Sequence, residues 1–394
     1  MFGTPLNLRL TGALSLREGT LQQRSVVIED GYISKGPLPE VDASGYMVMP
    51  GIIDLHGDAF ERHIAPRPSA PFPILQGLAA TDREAASHGV TTAFLAQSWS
   101  WEGGVRGPEY AEQLLVALDV YNARQLVDLR VQLRCETHTV ETSQRLIKAV
   151  RQHKVGYVIF NNHLPEAVEL AEAKPLEIAL WAKKAGRTPD EHMALVKECL
   201  KQTAQVPRYL CTLASAFDEM GVVYGSHDDP DALTREYYSM IGAKICEFPT
   251  SVAAAAAAHA VGDVVLMGAP NIVRGGSQAG NISAQRLVES GLCDALISDY
   301  YYPALHAAAF HLVDEGVMDL PSAWRMISTR PAEILRLPDR GIIDFGKRAD
   351  LTIINAVTRE IEATIVRGRL AYMSGEIGAR LVSALHKTSK YHAA

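Results

Sequence analysis

No stretch of this 394-residue chain is apolar for long enough to cross a bilayer. The longest apolar run, Val252 to Ala258, falls far short of the roughly 20 residues a spanning helix needs. It suits a small-residue helix packed closely on a neighbour. Met1 to Leu10 lacks the charged-then-apolar order of a secretory signal, so no membrane partner is expected. Positive charge is in deficit: 38 Lys and Arg face 45 Asp and Glu, a formal net charge of −7. That balance argues against nucleic acid as a partner, because such binders are usually basic. There is no Cys-x-x-Cys pair. The five cysteines (Cys135, Cys199, Cys211, Cys246 and Cys293) are odd in number and dispersed, the usage of reduced thiols in a cytoplasmic protein.

What is present is the composition of a soluble globular protein, 47% hydrophobic and 21% charged, in a chain long enough for one barrel and a smaller module. The first 50 residues look like short strands joined by tight turns. Leu6, Leu8 and Leu10 alternate, and Ser25 to Glu29 run into Asp30-Gly31, a strong hairpin pattern. The style returns after Gly341, with strand-like Leu351 to Ile354 and Glu362 to Val366 and turns at Arg367-Gly368 and Ser374-Gly375. The middle alternates instead. Strands are expected at 52–56, 91–96, 130–136, 156–162, 222–227, 243–248, 264–269 and 294–299, with helical patterning between them at 109–125, 190–204 and 283–290. Eight buried strand–helix units make an α/β fold, a (β/α)₈ TIM-type barrel. The expected division is a barrel over 51–341 and a small β-sandwich assembled from 1–50 plus 342–394. The segment from Pro165 to Pro207 exceeds one crossover helix; it is either an insertion over the barrel mouth or a plain pair of outer helices.

Barrel chemistry sits at the C-terminal ends of the strands. The first strand leads through Gly51-Ile52-Ile53-Asp54-Leu55 to His56 and Asp58, two apart and therefore on one face. The third ends in Glu136, the fourth in His163, the fifth in His227 and the eighth in Asp299. Three histidines and three carboxylates, all at strand ends, are the nitrogen and oxygen donors that a pair of divalent ions bridged by a carboxylate and a water would take. Each has a plainer alternative. His163 after Asn161-Asn162 could cap a helix, His227 beside Asp228 and Asp229 could be a surface turn, and His138 competes with Glu136. A buried Asp299 is costly without a cation or a proton-transfer role.

Two loops suit an anionic substrate. Glu61-Arg62-His63-Ile64-Ala65-Pro66-Arg67-Pro68 follows the His56–Asp58 pair; Glu61, His63 and Arg67 are its candidate contacts, and Pro66, Pro68, Pro71 and Pro73 stiffen it. After the seventh strand, Arg274, Gly275, Gly276 and Ser277 could cradle a phosphate with backbone amides. Solvated arginines and an ordinary glycine turn are the alternatives.

With these residues in place, the chain resembles the amidohydrolase superfamily of metal-dependent barrel hydrolases. Val48 to His56 looks like its first-strand motif, and Gly341 to Leu351 like its return into the sandwich. Within it, His56-Gly57-Asp58 through Pro68, Ser226-His227-Asp228-Asp229, Glu247-Phe248-Pro249-Thr250 and Gly268 to Ser277 resemble the PhnM-type enzymes of phosphonate breakdown. The resemblance implies hydrolysis of α-D-ribose 1-methylphosphonate 5-triphosphate to the 5-phosphate and diphosphate. It implies two divalent ions, Zn²⁺ foremost with Mn²⁺ or Fe²⁺ as alternatives, Glu136 as the bridge, and Asp299 as the proton acceptor. Asp228 and Asp229 would orient His227 or bind a ribose hydroxyl. The chain departs from that pattern at Phe60, near which an asparagine is usual, and at Gln278, near which a histidine is usual. Glu136 also falls on the third strand, whereas the superfamily's bridge usually stands on the fourth. Either a short strand lies unread around 97–125 or the bridge is another group. The rival activity on the same centre is C–N hydrolysis by a cyclic amidase, N-deacylase or deaminase. Oligomeric state is not written in the sequence, although such barrels commonly pair as homodimers.

Overall fold

The computed structural model describes residues 4–67, 70–277 and 280–391. Pro68 and Gln278 lie outside the described residues. Two sheets form the sandwich. One runs edge to edge through Tyr32–Ser34, Val26–Glu29, Leu8–Thr11 and Glu40–Asp42. The other runs through Arg369–Met373, Ile361–Val366, Leu351–Asn355, Tyr46–Pro50, Leu14–Arg17 and Thr20–Gln23. The second sheet joins the two ends of the chain, because Leu351 to Asn355 pair antiparallel with Pro50 to Tyr46. Both expected hairpins turn on left-handed pairs, Asp30 (φ 50°) with Gly31 (φ 90°) and Arg367 (φ 50°) with Gly368 (φ 69°). The turn expected at Ser374-Gly375 instead opens the helix Gly375–Tyr391. Glu362 accepts a hydrogen bond from the Ile377 amide at 3.3 Å in its first turn, and Ile377 and Leu381, four apart, enter the sandwich core.

The eight expected strands are all present as Ile52–Gly57, Val90–Trp99, Asp128–Glu136, Tyr157–Asn161, Val223–His227, Ile245–Glu247, Val264–Gly268 and Ala295–Ile297. They pair in parallel in sequence order. Their apolar side chains sort with period two. Ile53, Leu55, Tyr157, Ile159, Ile245, Leu266 and Ile297 fill the interior, while Val158, Phe160, Cys246, Val265 and Met267 join the larger core under the helices. Among the described residues no strand lies between Trp99 and Asp128, so Glu136 does end the third strand.

The ring closes between the eighth and first strands through one bridge, Gly57 with Asp299. The closure is reinforced by Asp54, which is fully buried and accepts from the Ser298 amide at 2.8 Å and the Ser298 hydroxyl at 2.6 Å. Gly57 is required there, since a Cβ would stand 2.6 Å from the Asp54 carboxylate. Asp299 then hydrogen-bonds through its amide to the His56 carbonyl at 3.0 Å, and the Asp58 amide to the Asp299 carbonyl at 2.8 Å.

Of the two arrangements open for Pro165 to Pro207, the insertion is found. Helices Leu164–Ala173, Pro175–Lys184 and Pro189–Leu200 precede the outer helix Val206–Met220. They share a small core of Leu164, Ala167, Ile178 and Val196 with Trp101 from the loop after the second strand. No helix among the described residues is long and apolar enough to cross a membrane.

At the opposite end of the third strand, Asp128 ties the barrel to the sandwich. Its Oδ2 accepts from Arg340 at 2.5 Å, Arg348 at 3.1 Å and Arg130 at 3.1 Å, and Arg348 also pairs with Asp350 at 3.0 Å. Burial alone would raise the Asp128 carboxyl, but the arginine charges win and hold it well below the usual carboxylate range. A depressed carboxyl contributes stability that is present above its unfolded pKa and is lost as pH falls toward the folded one. Asp128→Asn should therefore lower unfolding stability at pH 7 by about 3–5 kcal/mol, the cost of leaving buried charges unpaired. The gap from the parent protein should narrow below about pH 4, where the unfolded Asp begins to protonate. Urea unfolding at both pH values measures it, and a gap that widens in acid would contradict this account.

Candidate active site

The interior of the barrel becomes polar toward its C-terminal rim. The third strand shows how: Leu129, Val131, Leu133 and Cys135 join the outer core, while Gln132, Arg134 and Glu136 alternate with them. Gln132 donates to Glu247 at 2.9 Å and Arg134 to His227 Nε2 at 3.2 Å. Above them opens a cavity of about 910 Å³. His56, Asp58, His163, His227, Asp228, Asp299, Arg274, Gly276 and Ser277 all line it, with Arg134 at its wall. Leu170, Glu177, Leu180 and Trp181 of the inserted helices line it too, so the insertion borders the mouth.

The three histidines are held alike. Glu247 is fully buried, and its Oε2 accepts from His56 Nδ1 and His227 Nδ1, each at 2.8 Å. Its Oε1 accepts from Gln132 and from the Tyr157 hydroxyl at 3.1 Å. Glu136 accepts from His163 Nδ1, from the His163 amide at 3.1 Å and from Trp101 Nε1 at 3.2 Å. A carboxylate on Nδ1 fixes each ring's tautomer and leaves the Nε2 lone pair outward, the usual second contact of a metal-binding histidine; in His227 that lone pair accepts from Arg134. Glu247 resists protonation: burial would raise its pKa, but the charge of His56 and the hydrogen bonds of both rings depress it below the carboxylate range. His163 is raised above its ordinary value, since Glu136 outweighs the effect of burial. For His227 burial dominates and keeps the ring neutral more readily.

The donors suit a divalent ion. His56, Asp58 and Asp299 each offer a ligand atom within 4.8 Å of the others; so do His56, His227 and Glu247, and Glu102, Glu136 and His163. This is nitrogen and carboxylate chemistry appropriate to Zn²⁺, Mn²⁺ or Fe²⁺. Asp299 is pushed up to about 6, first by burial and next by the facing charge of Asp58, a crowding that a cation would relieve. The residues that follow the fifth, sixth and eighth strands, Asp228 (φ 57°), Phe248 (φ 52°) and Asp299 (φ 56°), are all left-handed. Such conformations in residues other than glycine store strain and gather at functional sites. Phe248 sets its ring edgewise to His56 at 5.3 Å and His227 at 5.1 Å between centroids.

Other expected contacts fall elsewhere. Glu61 lines a smaller chamber beside the main cavity. His63 is bound to Glu84 at 2.6 Å and lines neither space, and Arg67 is exposed and lines neither. The glycine amides do not make the expected cradle. Gly275 N donates to the Ile272 carbonyl at 3.0 Å and Gly276 N to the Asn271 carbonyl at 2.8 Å, because the short helix Ala269–Val273 uses them to finish its last turn. Arg274 donates to the Tyr300 hydroxyl at 3.1 Å beside the same cavity. His138 is taken up by Thr137 and Thr203 at 3.0 and 3.1 Å, away from the cavity. Both Glu136 oxygens accept from protein donors, and Glu136 also stands with Glu102 and His163 in one of the candidate ion groups. Glu247, Gln132 and Arg134 were not singled out as site residues from the sequence. The polar alternation Gln132-Arg134-Glu136 in an otherwise apolar strand was the available signal.

Glu247→Gln should leave the fold intact but loosen both rings. Metal retained after dialysis against a competing chelator should fall, with an affinity loss of about 10- to 100-fold as for other carboxylates behind a metal-bound histidine. Unchanged metal content would remove Glu247 from this role.

No family model matches the chain. It is 31% identical over 360 residues to the α-D-ribose 1-methylphosphonate 5-triphosphate diphosphatase of Escherichia coli (strain K12), covering 88% of this chain and 93% of that protein. Among solved structures, the N-acetylglucosamine-6-phosphate deacetylase of Pasteurella multocida aligns with a TM-score of 0.63 at 12% identity, over 92% of this chain and 99% of that one. The D-hydantoinase of a Bacillus species aligns at 0.60 and 13% identity, over 94% and 97%. The two solved structures share the fold, and the similarity to the Escherichia coli protein shows that the chain belongs to the α-D-ribose 1-methylphosphonate 5-triphosphate diphosphatase family.

Proposed function

We propose that this protein hydrolyses α-D-ribose 1-methylphosphonate 5-triphosphate to the 5-phosphate and diphosphate. The observation that carries the reading is the convergence of His56, Asp58, His227 and Asp299 on one cavity whose wall also presents Arg134 and Arg274. Similarity along nearly the full length of a named diphosphatase supports it. The same donors could serve C–N hydrolysis, but the arginines around them suit a polyanion better than a neutral amide.

His56, Asp58, His163, His227 and Asp299 are the side chains that would hold divalent ions, two in the proposed form and Zn²⁺ in the first instance. Bound there, the ions would supply hydroxide near neutral pH and polarise the phosphoryl oxygen under attack. Glu136 and Glu247 hold the imidazoles in the required tautomer. Asp299 stands against Asp58, where its carboxylate can take the proton of the attacking water and return it to the leaving diphosphate. Arg134, on the third strand, and Arg274, in the segment after the seventh, reach the cavity from different sides and can hold negative charge on either side of the bond that breaks. Asp228, at the rim with its carboxylate 3.5 Å from His227 Nε2, adds negative charge beside the site where an ion would sit.

Three measurements test this. Diphosphate release from the 5-triphosphate should stop when divalent ions are stripped by a chelator and return on adding Zn²⁺ or Mn²⁺. Asp299→Asn should lower kcat by about 100- to 10,000-fold, the span general acid–base catalysis supplies. His227→Ala should lose metal and activity together. Full diphosphate release from the stripped protein, or full activity in His227→Ala, would refute the assignment.

A further inference from the structure

Beside the main cavity lies a second chamber of about 330 Å³, within the size range of small-molecule sites. The two spaces share Asp58, Arg106, Trp181 and Tyr300 on their walls, so they meet at the metal-binding rim. The chamber is built by the loops after the first and second strands. Phe60, Ile64 and Val105 give it apolar walls, and Glu61 and Tyr110 bring polar groups to it.

Its polar groups divide sharply into engaged and unengaged. Glu102 accepts from Ser100 at 3.1 Å and from Arg106 at 3.2 Å, and also from Trp181 Nε1. Arg62 is held by Glu84 and by the Tyr300 carbonyl at 2.7 Å. The Gln97 amide donates to the carbonyls of Ser98 and Val105, each at 2.9 Å. Both arginines on the wall thus already have carboxylate partners, and the chamber carries three carboxylates. An anion has little to gain there. Two groups stand apart. The Tyr110 hydroxyl is buried without a hydrogen-bond partner, and among the described residues none donates to the Glu61 carboxylate. A buried hydroxyl without a partner is costly unless a ligand supplies one.

We propose that this chamber is a pentose subsite: Glu61 accepts both hydroxyls of a vicinal diol, Tyr110 hydrogen-bonds the same sugar, and Phe60, Ile64 and Val105 pack on its apolar face. A carboxylate receiving a ribose diol is a recurrent solution in nucleotide sites. The arrangement places the sugar in the small chamber and leaves its phosphate chain to Arg134 and Arg274 in the wide cavity. It rests on the proposed function only for the identity of the ester; the diol recognition is a property of the chamber.

Calorimetric titration of the metal-loaded protein with ribose 5-phosphate and with 2,3-dideoxyribose 5-phosphate tests it. The diol-bearing compound should bind at least tenfold tighter. In Glu61→Gln that ratio should fall to within threefold, and Tyr110→Phe should reduce it in part. Val105→Trp, which fills the chamber, should abolish the preference while inorganic diphosphate binds as in the parent protein. Thermal melts of each variant identify any that fail to fold, and Tyr110→Phe, the mildest change, keeps the test decisive. Equal binding of the two sugars by the parent protein, or an unchanged ratio in Glu61→Gln, would overturn the proposal. Diphosphate release from the 5-triphosphate is assayed separately. If that release fails while the diol ratio holds, the proposed substrate falls and the pentose subsite stands.

Discussion

Closure of the barrel is the constraint from which the site follows. Seven strand pairs form by ordinary parallel ladders, but the eighth strand meets the first through one bridge and the buried Asp54. The Asp54 carboxyl is pushed up to about 6, chiefly by burial, and is tolerated because the Ser298 amide and hydroxyl both donate to it. With Ser298 pinned, Asp299 has one place to go, against His56 and Asp58. Two residues at opposite ends of the barrel sequence are thereby made neighbours, and a cation between them would relieve the crowding of their carboxylates. A loosened seam would leave the fold recognisable and the donor set scattered.

The second layer of the design is restraint of the imidazoles. Free histidines at a barrel mouth would sample several rotamers and both tautomers. Here Glu247 holds two rings and Glu136 the third, and Phe248 stands edgewise against two of them. Each carboxylate is itself saturated by Gln132, Tyr157 or Trp101, so its orientation is also determined. Order therefore passes outward from barrel core to carboxylate to ring, and the ring nitrogens reach the cavity already aimed.

Much of this was legible in the sequence. Parallel barrel strands are buried on both faces, and Ile52-Ile53, Val158 to Phe160 or Val264 to Met267 stand out as apolar runs whatever surrounds them. The residues at their ends were found by the same logic, and His56, Asp58, His163, His227 and Asp299 do face one space. What sequence could not supply was the partner of each donor. Glu136 looked like a free strand-end carboxylate, and only the spatial approach of His163 and Trp101 shows both oxygens taken. Glu247 sits in a three-residue strand too short to show periodicity. Gly275 and Gly276 suggested open amides because a glycine pair marks a turn without saying which carbonyls it serves. The helix Gly375–Tyr391 was missed because Ser374-Gly375 reads as a turn, and its apolar pair at Ile377 and Leu381 is brief.

The pairing of Tyr46–Pro50 with Leu351–Asn355 has a consequence for biogenesis. The two strands are separated by about 300 residues of barrel. At about 5–20 residues per second of synthesis, the first waits some tens of seconds for the second to leave the ribosome. During that interval the nascent chain presents an uncapped β-edge made of Met47, Val48 and Met49, all buried in the finished protein. The same sheet that fastens the completed molecule is thus the surface most in need of shielding while the molecule is being made, and chaperone engagement would be concentrated on its earliest strands.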